Sequence, residues 1–168
     1  MLEHMEMMSQ LGMVTAEMLT AMSVPDIAEI LARHLPKVGI ENILVAIYDE
    51  DSEDRTSRAS TLLTAGLSGV PDGHNFETRK FPALKMYPTN RPIHLTILPL
   101  DVDNSMSGFV AFSAPNPELC AAIVHNLSAA LRTSQLYHAA IEGRRMAEEA
   151  NRLKSRFLST VSHELRTL

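Results

Sequence analysis

Tryptophan is absent, cysteine occurs once, and aromatic residues make up 5% of the 168-residue chain. The lone Cys120 excludes an internal disulfide framework and suits a reducing compartment, so a cytoplasmic protein is expected. No apolar run approaches the ~20 residues needed to span a bilayer. The acidic residues Glu3 and Glu6 stand where a secretory signal would be apolar. Net charge is −5 and no basic stripe with interleaved aromatics occurs, which argues against nucleic-acid binding. His74, His94, His125 and His138 are not paired at metal-ligand spacing on one element, so no metal site is expected. Internal repeats and low-complexity tracts are also missing. Apolar material, by contrast, is ample: 45% of the chain is hydrophobic, enough for one proper core but not two large ones.

Within residues 2–22, Met8, Leu11, Val14, Met18 and Met22 follow a three-four rhythm and predict an amphipathic, methionine-rich helix. Ser23-Val24-Pro25-Asp26 is a helix-start signal: a serine cap, an early proline and an acid in the first turn. Ile27, Ile30, Leu31 and Leu35 form the buried stripe of this second helix, which Pro36 is expected to end. His34 falls at that boundary with no special role.

The period then changes. The apolar run Ile43-Leu44-Val45-Ala46-Ile47-Tyr48 suits a central strand, and residues 58–65 read as its partner. Between them the acidic residues 49–54 read as a solvated hairpin loop; the glycine and ligand spacing of a calcium loop are missing. Residues 66–91 are mostly loop, with a short element expected around Phe81 to Met86. The alternation of Ile93, Leu95 and Ile97 predicts a strand over 92–100. A turn at 101–105 leads to its antiparallel neighbour, Gly108-Phe109-Val110-Ala111-Phe112. Asn116-Pro117-Glu118 caps a last helix packed through Leu119, Ile123, Leu127 and Leu131. No proline follows and Gly143 is the one weak point, so a single helix of about fifty residues, on the order of 75 Å long, is predicted.

Two helices, a strand pair, a loop-rich excursion, a second strand pair and a long exit helix: this order resembles a GAF domain over about residues 5 to 135. A PAS domain is the second candidate. The two helices ahead of the first strand and the long one after the last favour GAF. The implied class is α+β, a GAF-like antiparallel sheet flanked by helices, with a long C-terminal coiled-coil signalling helix. The organisation is an amphipathic helix at 1–22, a GAF-like sensor domain at 23–135, and a signalling helix with a truncated phosphoacceptor helix at 136–168. The sequence names no sensor ligand. A covalently held tetrapyrrole would need a cysteine near the pocket, and Cys120 reads instead as a buried structural thiol. The Asn-Lys-x-Asp arrangement of cyclic-nucleotide GAF domains is absent. The loop over 66–89 is short for a deep lid, and His94 and Tyr48 are polar candidates to line a small cavity.

The chain closes on Ser162-His163-Glu164-Leu165-Arg166-Thr167-Leu168, preceded by Lys154-Ser155-Arg156-Phe157-Leu158. Val161 and Leu165 are four apart and share a helix face, while His163 lies about 200° from either and points outward. An imidazole with an ordinary pKa near 6.5 is largely neutral at cellular pH and can act as a nucleophile. Glu164 beside it is placed to serve as general base or orienting carboxylate. This string resembles the phosphoacceptor box of sensor histidine kinases, Ser-His-Glu-Leu-Arg-Thr-Pro-Leu. The resemblance implies that His163 is the phosphoacceptor and that Thr167 helps to place the water for dephosphorylation. It also implies a response-regulator receiver domain as partner, and an ATP-binding domain supplying ATP and Mg in the parent kinase. Leu168 stands where the family has a helix-kinking proline; it is read as the remnant of an engineered boundary, and this piece alone is expected to lack kinase activity.

Met146, Ala150, Leu153 and Phe157 repeat at four-three-four, the seam of a parallel two-stranded coil. The further steps of four to Val161 and Leu165 act as a stutter that changes supercoiling locally. A homodimer through this helix is therefore expected, with rotation or shift of the helix controlling access to His163. The competing possibility is that the stripe packs on a kinase domain. The alternative function is a non-enzymatic GAF- or PAS-type small-molecule-binding or dimerisation module.

Overall fold

A computed structural model describes residues 2–51, 54, 56–82, 85–87, 90–103 and 105–168. Three helices and five strands follow in the order α1 (Leu2–Met18), α2 (Val24–His34), β1 (Ile43–Tyr48), β2 (Arg58–Ala65), β3 (Asn75–Glu77), β4 (Thr96–Val102), β5 (Ser105–Phe112) and α3 (Pro117–Thr167). The class is α+β, an antiparallel sheet flanked by helices with a long C-terminal helix.

The local signals explain most of these boundaries. At the start of α2 the Ser23 hydroxyl accepts from the Asp26 N–H at 3.3 Å, and the Asp26 carboxylate in turn accepts from the Met22 N–H at 3.2 Å. Each side chain thus satisfies a backbone donor at the helix end. At α3 the Asn116 carboxamide oxygen accepts from the Leu119 N–H at 3.1 Å. Pro36 does not end the second helix outright. It sits inside a 3-10 turn, Leu35–Val38, where its missing N–H needs no partner, and Gly39 at φ 81° stops the turn. The first helix closes at Met18, earlier than expected, because the chain must turn before the Ser23 cap.

The sheet order is β3-β2-β1-β5-β4, and every pairing is antiparallel. Central β1 is apolar throughout because both its faces are covered. Ile43 and Val45 meet the three helices, whereas Leu44 and Ala46 meet the segment after β2. Gly108 on β5 is dictated by this pairing: a Cβ there would stand 1.9 Å from the Ala46 carbonyl oxygen. On the helix side Met18, Ile27, Leu31, Leu63, Phe112 and Leu127 are fully buried, each burial contributing about 1.5–3 kcal/mol.

Two boundaries differ from the sequence reading. The fourth strand begins at Thr96, not Pro92, because Thr96 pairs with Phe112, the last residue of β5, and earlier residues have no partner strand. The hairpin that follows is tighter than expected: Val102 pairs with Ser105, and Asp103 takes φ 59°; Asn104 lies outside the described residues. Short β3, which the excursion after β2 contributes to the sheet edge, is too brief to leave a period in the sequence. The element expected around Phe81 to Met86 falls partly on Ala83 and Leu84, outside the described residues; a 3-10 turn at Thr78–Lys80 precedes it.

The chain divides into two compact units, Met1–Ser134 and Gln135–Leu168. In the first, α1 is tied to α3 by the Asn126 amide donating to the Thr15 hydroxyl at 2.7 Å. The second is the remainder of α3, which continues through Gly143 without a break.

Candidate functional site

The outer face of the sheet, away from the helices, gathers five of the eight aromatic residues: Tyr48, Phe76, Phe81, Tyr87 and Phe109. Phe109 of β5 meets Phe81 at a centroid distance of 5.0 Å and 66°, Tyr48 at 6.1 Å and Phe76 at 6.3 Å. Phe81 also stacks edge-on against Tyr87. These rings, with Val70, Met86 and Ala111, make a second small core. The middle of this face is therefore packed by the chain itself, and Tyr48 is spent on that packing.

Open space lies beside it, at the edge where β1 begins and β2 ends. A cavity of about 460 Å³ is lined by Glu41, Asn42, Gly66, Leu67, Ser68, Lys85, Met86, Tyr87 and Arg91. Gly66 allows it to form: its φ is 75°, and a Cβ would stand 2.3 Å from the Glu41 carbonyl oxygen. Asn42 and Tyr87 are more than nine-tenths buried. The Asn42 amide oxygen and the Tyr87 hydroxyl have no hydrogen-bond partner among the described residues, at a cost of about 1–3 kcal/mol for each such group. Burial pushes the Tyr87 hydroxyl up to about 12, so it stays a proton donor at neutral pH. At the rim the Arg91 guanidinium is paired with the half-exposed Glu41 carboxylate. His94 lies on the other side of that pair, in a cavity of about 150 Å³ that also includes Glu41 and Arg91. His94 and Tyr48, expected as polar liners, are thus placed apart. Nothing in the spacing of Asn42, Gly66 and Tyr87 announces their meeting, which depends on the sheet topology.

Cys120 is fully buried in the first turn of α3, and burial pushes its thiol up. In the acidic loop the Asp49 and Asp54 carboxylates accept from the N–H groups of Asp51 and Thr56, turning the chain locally; Ser52 and Glu53 lie outside the described residues. Among the described residues no three His, Cys, Asp or Glu side chains gather at metal-binding distance. His34, read as an unremarkable boundary residue, is buried, with its Nε2 3.1 Å from a Glu17 carboxylate oxygen and so bridging α1 and α2.

The residues of the C-terminal box form the last turns of α3. His163, Glu164 and Thr167 are all exposed. The Thr167 hydroxyl donates back to the helix, to the Glu164 carbonyl at 2.9 Å and the His163 carbonyl at 3.3 Å. Upstream, Met146, Leu153, Phe157 and Leu165 stand 58–67% exposed, so the apolar seam is uncovered along its length. Its flanks carry ion pairs one turn apart: Arg144 with Glu148, and Arg145 with Glu142 and Glu149. No helix among the described residues is long and apolar enough to cross a membrane.

No family model matches the chain, and no curated protein matches it in sequence. Solved structures do match in shape. The GAF domain of a phosphoenolpyruvate-protein phosphotransferase from Coxiella burnetii superposes with a TM-score of 0.57 at 14% identity, over 80% of this chain and 98% of that one. The phycocyanobilin-bound GAF domain of a cyanobacterial phytochrome gives 0.53 at 15%, over 79% and 97%. Residues 122 to 287 of a methyl-accepting chemotaxis protein give 0.51 at 16%, over 76% and 99%. At such identities the likeness is one of fold: the chain carries a GAF-like fold.

Proposed function

We propose that the chain is the sensory and dimerisation region of a two-component sensor histidine kinase. Its GAF-like unit is the sensor, its C-terminal helix the dimer contact and relay, and His163 the phosphoacceptor. The observation that carries this reading is the continuity of α3: one helix, Pro117–Thr167, starts in the core of the sensor unit and ends in the Ser162–Thr167 string. The shape likeness to GAF domains of a phytochrome and to a chemotaxis protein segment supports a sensory role.

In this reading an imidazole nitrogen of His163 attacks the γ-phosphorus of ATP held by an ATP-binding domain with Mg. The N–P bond forms as the bond to ADP breaks. Glu164 orients the ring and accepts the proton from it. The phosphoryl group then passes to an aspartate of a response-regulator receiver domain, and Thr167 helps to place the water of the opposing dephosphorylation. Helix rotation or shift within a homodimer sets access to His163, the exposed seam from Met146 to Phe157 being the contact between copies.

The test is phosphate transfer in the full-length protein with labelled ATP, beside a His163→Gln variant. Acid-labile label that the variant loses is the expected result. No label in either protein, with ATP binding demonstrated, would remove the kinase reading. A non-enzymatic binding or dimerisation module would then take its place.

A further inference from the structure

The cavity at the β1–β2 edge has a chemistry that narrows its ligand. Its rim holds one carboxylate, Glu41, and two cations, Arg91 and Lys85. Its wall holds an acceptor with no donor among the described residues, the Asn42 amide oxygen, and a buried phenol, Tyr87; Leu67 and Met86 supply apolar surface. An exposed ion pair such as Glu41–Arg91 is worth little, so a ligand can part it at small cost. A simple anion would gain Arg91 and Lys85 but meet the Glu41 carboxylate. A simple cation would gain Glu41 and meet the two cations. A ligand bearing both charges gives each separated partner a new one.

We infer that this cavity binds a small zwitterion of the α-amino-acid class. Its carboxylate lies on Arg91, Lys85 and the Tyr87 hydroxyl, and its ammonium on Glu41 and the Asn42 amide oxygen. Its side chain lies against Leu67 and Met86. Both oxygens are buried in this structure, so binding includes turns of the Asn42 and Tyr87 side chains that bring each to the ligand. The inference rests on reading the domain as a ligand-binding sensor. It is independent of phosphate transfer at His163, and its test reads binding alone.

The experiment takes the full chain through thermal unfolding with each of the twenty standard L-amino acids in turn. Follow-up calorimetry uses the best binder, its decarboxylated amine and its deaminated acid. At least one amino acid is expected to raise the midpoint, with the amine and the acid each bound about tenfold more weakly or worse. Arg91→Gln, at the exposed rim, and Tyr87→Phe, which keeps the ring, are each expected to weaken binding about tenfold. Failure of all twenty to shift the midpoint would overturn the inference. So would binding that survives both substitutions, or a single-charge control that binds as well as the amino acid. Phosphate transfer lost with binding intact would strike only the kinase reading.

Discussion

One helix runs through two regimes. From Leu119 to Ser134, α3 buries eight residues, among them Ile123, Leu127 and Leu131, against the sheet and its neighbouring helices. From Gln135 onward, every residue except the half-buried Val161 is exposed. Both stretches carry apolar residues at three-four spacing, but 119–134 holds one charged residue, Arg132, whereas 135–168 holds ten. The first has a covering surface; the second has none among the described residues. The first stretch gains its order from tertiary packing, which supplies most helical stability in proteins. The second keeps its apolar row uncovered, with ion pairs beside it that are exposed and therefore weak. Such a row calls for another helix, and in the proposed reading a second copy supplies it.

Matched truncations at equivalent leucines separate the two regimes most strongly. Leu127→Ala removes a fully buried side chain and is expected to cost about 2–5 kcal/mol in denaturant unfolding. Leu153→Ala, at a site 58% exposed, is expected to leave the stability of the Met1–Ser134 unit within about 0.5 kcal/mol. Equal costs would erase the comparison. Next in size is Gly108→Ala, whose added methyl collides with the Ala46 carbonyl oxygen and should cost about 1–3 kcal/mol or more. The same unfolding curves measure it, and a neutral result would mean that β1 and β5 are not so closely paired. Third, Leu153→Ala should weaken the proposed dimer by about 1–2 kcal/mol per chain, read as a shift of the monomer–dimer midpoint in sedimentation. An unchanged midpoint would move the dimer contact off this seam.

The sequence disclosed these regions unevenly, for physical reasons. Local signals were legible wherever one short segment does the work. The Ser23 and Asn116 caps, the apolar run of β1 and the unbroken course of α3 through Gly143 all read correctly. Whatever depends on a distant partner was hidden. The start of β4 is set by where β5 ends, and His34 finds Glu17 across two helices. The cavity gathers Asn42, Gly66 and Tyr87 only through the sheet topology. The C-terminal box is the reverse case. Its residues are a readable string, yet their exposed, solitary helix adds little geometry to that string.

The smallest effect concerns a cap within the packed unit, and it should depend on pH. Ser23→Ala is expected to cost about 1 kcal/mol near neutrality, since the Asp26 N–H loses its acceptor. The Ser23 hydroxyl, and then the Met22 N–H, hold the Asp26 carboxyl below its ordinary value of 3.8. A carboxyl depressed in the folded state adds stability above its unfolded value and loses it as pH falls through the folded one. The native chain forfeits that increment in acid, whereas the variant has already lost the serine's share. The gap between them should therefore narrow in acid well below 3.8, measured by urea unfolding at both conditions. A gap that holds or widens would mean that the serine stabilises the helix through the Asp26 N–H alone. Loss of the Arg145 ion pairs in the exposed stretch should leave this gap untouched, because the cap lies in the other compact unit, Met1–Ser134.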